Sequence, residues 1–170
     1  MNPSIRDAAV PVVIRTMNAL IEVIEKGRQH AENEKWDQAV VLAMRLYPDM
    51  FPLSRQIQVV SDQCKGGIAR LAGIEPPKFA DTEATFTELK QRIQKTIDFV
   101  QGVEAAKLES AGTRAIELKF PHATLNFRSG WEYLQVFVLP NVYFHSSMSY
   151  AILRHCGVKL GKADFIGKLP

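Results

Sequence analysis

His145 is the side chain best placed for chemistry in this sequence, with Asn141 one helical turn before it and Ser149 one turn after. An imidazole, an amide and a hydroxyl on one side of a helix suit three roles. The imidazole can ligate a metal, act as a general base, or sit in a core hydrogen-bonded to a neighbour. The other three histidines do not join it by spacing. His30 falls where a first helix runs out, His122 lies in a turn, and His155 is about 80° off the His145 face. No H-x-x-x-H or H-E-x-x-H is present. A metal centre would therefore recruit Asp49, Gln56 or Asp62 from the second helical region, and His145 with Asp49 is the pair we single out for a divalent metal. For a small ligand in a bundle core the corresponding set is Gln56, Asn141, His145 and Ser149.

Other chemistries find less support. Cys64 and Cys156 stand among apolar helical positions, as small buried thiols do in a reducing compartment, and the one histidine beside a cysteine, His155, points about 100° away from it. Ser146, Ser147 and Ser149 lie in an apolar helix, where hydroxyls bond back to their own carbonyls. Gly66-Gly67 and Gly157 with Gly161 lack the strand-to-helix setting of a phosphate loop. Acid pairs such as Glu83 with Glu88 read as solvated faces.

Four amphipathic helices must position these groups. Val13, Ile14, Met17, Leu20, Ile21 and Ile24 recur at helical spacing in a first helix, capped by Ser4 and Asp7, with Pro11 inside it. A second helix follows Pro52, carries Leu53, Ile57, Val60, Cys64, Ile68 and Leu71 on one face, and stops at Gly73. A third opens at Asp81 or Thr82 and runs to Gly102 through Phe86, Leu89, Ile93, Ile97 and Val100. Residues 113–120 and 123–128 alternate like strands around Pro121-His122 and form a small hairpin. Ser129-Gly-Trp-Glu132 then caps a last helix reaching Gly157, with Trp131, Leu134, Val138, Val142, His145, Ser149, Ile152 and Cys156 inside about 80° of arc. The segment 33–49 is ambiguous between helix and extended chain, and the tail after Lys159 reads as an irregular strap. The expectation is one all-α domain over residues 1–170, an antiparallel four-helix bundle with a hairpin before the last helix.

Composition fits that reading. At 170 residues and 46% hydrophobic, one core can form without disulfides or structural metal. The 21 Lys+Arg against 18 Asp+Glu are scattered, which argues against a nucleic-acid partner. The apolar run after the N-terminus lacks the basic start of an export signal, and Val136 to Phe144 is too short to span a membrane. We expect a cytoplasmic protein with no membrane partner.

The strings Pro48-Asp-Met-Phe-Pro-Leu53, Ala69-Arg-Leu-Ala-Gly73, Leu139-Pro-Asn-Val-Tyr-Phe-His145 and Leu160-Gly-Lys-Ala-Asp164 resemble the domain of unknown function 1993 family. That family lies within the DinB/YfiT-like superfamily of four-helix bundles. The resemblance implies an up-down-down-up bundle and frequent dimers. In many members it also implies a divalent metal on three histidines, one from helix two and two on the last helix. Only His145 matches that set; Ser149 stands where the second last-helix histidine would be, so the usual centre is degraded. The leading expectation is a non-catalytic or small-ligand-binding bundle that forms a homodimer and needs no cofactor. The alternative is a metal-dependent thiol transferase or hydrolase with His145 as a ligand. Stress-related nucleic-acid binding is the least supported.

Overall fold

The computed structural model describes residues 4–169. Residues 1–3 and 170 of the expected domain lie outside it. The first helix, α1 (Ile5–Asn33), starts at Ser4, whose hydroxyl accepts from the Asp7 amide, and it carries Pro11 in its second turn. A short α2 (Gln38–Ala43) resolves the ambiguous segment as one helical turn and a half followed by loop. Then come α3 (Leu53–Ala72), α4 (Phe86–Gly102) and a short α5 (Ala105–Glu109). The hairpin pairs β1 (Ile116–Phe120) with β2 (Ala123–Phe127) antiparallel, Ile116 opposite Phe127. The last long helix is built of α6 (Gly130–Glu132), a π-helical segment Tyr133–Val138, and α7 (Leu139–His155). In the tail, α8 (Lys162–Ile166) is a helical turn rather than irregular chain, tied to α1 by Lys26 on Asp164 at 2.6 Å.

Contacts give the direction of each helix. Gly27, near the end of α1, faces Leu153 near the end of α7 and Phe86 at the start of α4. So α1 and α7 run together, and α4 runs against α1. Gly67, late in α3, packs against Val138 just before α7, which sets α3 against α7. The bundle is therefore up-down-down-up, with a core from Val13, Met17 and Ile24 through Ile57, Ile68, Leu89 and Ile93 to Val142 and Ile152.

Because α3 and α4 are parallel, the chain between them must travel back along the bundle. A 20-residue α3 is about 30 Å long, within reach of the 13 extended residues 73–85. Gly73 begins this crossover in the left-handed region at φ +68°, and Thr85 ends it as the N-cap of α4 in a capping box with Glu88. Helix α4 thus opens at Thr85, three to four residues after the expected Asp81 or Thr82, because the acids before it are engaged elsewhere.

Those acids hold the crossover to the bundle. Arg92, with a side chain only 2% exposed, bonds Asp62, Asp81, Glu83 and the Ala80 carbonyl, each at 2.9 Å. Glu83 also accepts from Gln58 at 2.9 Å. Glu83 and Glu88 are therefore not a pair on a solvated helix face: Glu83 lies before α4 on the buried Arg92 side chain, and Glu88 closes the cap. Phe79, within the crossover, lies under Lys65, Arg92 and Lys95 at 5.1, 5.7 and 4.3 Å from its ring centre.

Candidate functional site

The last helix does not present His145 as a regular α-helix would. The π-helical segment makes i→i+5 bonds and so rotates the residues after it about the helix axis. Tyr133, Leu134, Val138, Val142, Ser146, Ser149, Ile152 and Leu153 are buried, while Trp131, His145 and Cys156 are half-buried. Ser146 takes the inward position expected of His145, and its buried hydroxyl has no hydrogen-bond partner among the described residues. The imidazole stands at the rim of the core rather than within it.

There it meets the start of α3. Gln56, 1% exposed, donates from Nε2 to the Phe51 carbonyl at 3.1 Å, which turns its Oε1 toward the imidazole. Nδ1 of His145 lies 2.7 Å from that oxygen. Since Oε1 can only accept, Nδ1 carries the proton and the neutral ring leaves Nε2 with a free lone pair. Burial, with a smaller contribution from the Arg55 charge, holds the imidazole below the ordinary histidine range, so it is neutral near pH 7. Phe51 stacks on the ring at 6.4 Å between centres, and Phe144 meets it edge-on at 5.1 Å. Both phenylalanines are about half exposed, so the site is an open, aromatic-flanked surface.

Of the residues singled out from sequence, the structure joins His145 and Gln56. Asn141 donates to Phe137 O at 2.7 Å and Ser149 to His145 O at 2.8 Å, each a bond back into its own helix. Asp49 lies exposed in the loop before α3, and Asp62 is engaged by Arg92 and Lys65. Among the described residues no group of three or more His, Cys, Asp or Glu side chains is placed to hold a metal. Burial pushes both cysteine thiols up, away from the reactive thiolate.

Arg55 was not among the sequence candidates, yet it borders this site. Its guanidinium carbon is 5.9 Å from the Phe51 ring centre, and its Nη1 bonds Asp81 at 2.5 Å. The available signal was its place beside Gln56 in the first turn of a helix. Arg92 carried a plainer one, a cation among Leu89, Ile93 and Thr96 on an otherwise apolar stripe.

The profile of the family described as domain of unknown function (DUF1993) matches residues 5–166. The chain belongs to the DUF1993 family. This DUF1993 chain is also similar to the crystal structure of a DinB family member protein from Shewanella denitrificans, at 36% identity and a TM-score of 0.87. The alignment covers 98% of this chain and 93% of that one. No curated protein matches. The mainly α, DinB-like bundle expected from sequence is thus the fold of this DUF1993 chain, and among its described residues no helix is long and apolar enough to cross a membrane.

Proposed function

We propose that this DUF1993 protein is a non-catalytic, small-ligand-binding bundle whose site is the surface around His145, at the α3–α7 seam. The observation that carries this is the fixed tautomer: Gln56 Oε1 accepts a hydrogen bond from His145 Nδ1–H and leaves Nε2 as an acceptor between two half-exposed phenylalanines. Such a site receives a flat molecule with an N–H or O–H donor. The test is a fragment screen read by 1H–15N spectra of the histidine ring. Binders should move His145 Nε2 and lose most affinity in His145→Ala; fragments that bind without perturbing that ring would overturn the assignment.

One feature favours a second reading. A histidine whose Nδ1–H is held by an oxygen is oriented as metal-ligating histidines are, with Nε2 free for the ion. Under that reading His145 and Asp49 hold a divalent metal in an enzyme of transferase or hydrolase type. Elemental analysis of chelator-free protein beside His145→Ala decides it: one equivalent of metal in the parent and none in the variant supports the enzyme, and traces in both support the binding bundle.

We further propose that the protein acts in the cytoplasm as a homodimer. The outward face of the last helix supports the dimer, with Val136 65% and Tyr143 40% exposed.

A further inference from the structure

Arg55 is tethered by one nitrogen only. Its Nη1 reaches Asp81 Oδ2 at 2.5 Å and Gln58 Oε1 at 3.4 Å, whereas Nε and Nη2 have no hydrogen-bond partner among the described residues. The side chain is 36% exposed and lies by the Phe51 ring that stacks on His145. One phenylalanine is thus bordered by a guanidinium with a free two-donor edge and by an imidazole with a free lone pair. The Nε–Nη2 edge matches a carboxylate, which accepts two parallel N–H bonds from it, a geometry an ammonium cannot supply.

We infer that the ligand class of the His145 site is an aryl carboxylate carrying a hydroxyl or N–H, its carboxylate on the free edge of Arg55, its ring against Phe51 and its donor on His145 Nε2. This deepens the binding reading above and rests on it. Asp81 has a defined part in the pairing. It holds Arg55 from the far side and partly offsets its charge, and it is itself fixed by Arg92 at 2.9 Å. Asp81 is therefore a positioning residue that pre-sets the guanidinium and moderates its pull on an anion.

The experiment pairs aryl carboxylates, from benzoate and the hydroxybenzoates to naphthoates, with their neutral primary amides. Titrations by calorimetry use the parent, Arg55→Gln, Arg55→Lys, Asp81→Asn and His145→Ala. In the parent, hydroxyaryl carboxylates should bind about ten- to a hundredfold tighter than the matched amides, the difference expected of a charge-assisted bond. Arg55→Gln should erase that preference, weakening the carboxylates far more than the amides. Arg55→Lys should restore part of it through charge alone. Asp81→Asn should tighten carboxylates several-fold relative to amides, a selective gain that a purely structural Asp81 would not give. Equal binding of acids and amides, both lost in His145→Ala, would overturn the carboxylate inference and leave the binding site standing. Absence of binding by both classes at His145 would remove the two together.

Discussion

With Nδ1–H committed to Gln56, His145 can gain a second proton only at Nε2, half-buried and within the field of Arg55. Its folded pKa lies below the unfolded value near 6.5. As pH falls through that window the unfolded chain binds the proton first, so the unfolded state holds more protons and stability declines with falling pH. Above the unfolded value the contribution is flat, and below the folded pKa the loss is complete. Urea unfolding at pH 7.5 and at pH 5 should show this decline, and His145→Gln should show a smaller one; equal declines would mean the imidazole titrates normally. A second expectation concerns the partner. Gln56→Leu strips His145 Nδ1–H of its acceptor and should destabilise by about 1–2 kcal/mol, with both ring tautomers then visible by 15N shifts. Both members of this pair were legible as residues. The expected ligand set grouped them, but the hydrogen bond that orients the ring was not legible, because they are 89 positions apart and only the register of α3 against α7 makes it.

At the scale of elements, the crossover 73–85 depends on Arg92 more than on apolar burial. Truncation in Arg92→Ala leaves Glu83, Asp62 and Asp81 without their shared cation and opens a cavity beside Phe79. The expected loss is about 1–3 kcal/mol by urea denaturation, since Asp62 and Asp81 keep Lys65 and Arg55, with amide exchange in 74–84 rising more than in α1. A loss under about 1 kcal/mol would show the crossover is held by other contacts. Close approach of α3 and α7 makes a separate demand. A Cβ at Gly67 would stand 2.7 Å from Val138 Cγ1, so Gly67→Ala should cost about 1–3 kcal/mol of overpacking, against roughly 1 kcal/mol gained in helix propensity. A net loss in thermal unfolding is expected; a gain would mean Val138 moves aside. The four long helices were readable from apolar spacing because each buries one stripe. The π-helical segment was not readable, since Tyr-Leu-Gln-Val-Phe-Val satisfies an α stripe equally well, and the phase error it introduces is what misplaced His145 and Ser146. Likewise, Asp81 and Glu83 look like a helix start until their cation, Arg92, is known to be buried.

For the whole molecule the question is what covers the outer side of the last helix. Val136 and Tyr143 are exposed on it, in a helix apolar on most sides, and a second copy of this chain presents the same face. Two such faces meeting about a two-fold axis form a self-complementary contact, which needs roughly 800 Å² from each partner to be stable. Light scattering should give about twice the 19.1 kDa chain mass at micromolar concentration. An apolar contact is little weakened by screening, so the dimer should persist from low salt to about 0.5 M salt. The double change Val136→Glu with Tyr143→Glu places like charges opposite one another across the axis and should yield a monomer whose helical circular dichroism is unchanged. That variant separates the dimer from the ligand site, because neither position bonds Gln56 or stacks on His145. Ligand affinity that survives in the monomer assigns the site to one chain, as the geometry of His145, Gln56 and Arg55 requires. A parent that is already monomeric would show that this face is simply solvated.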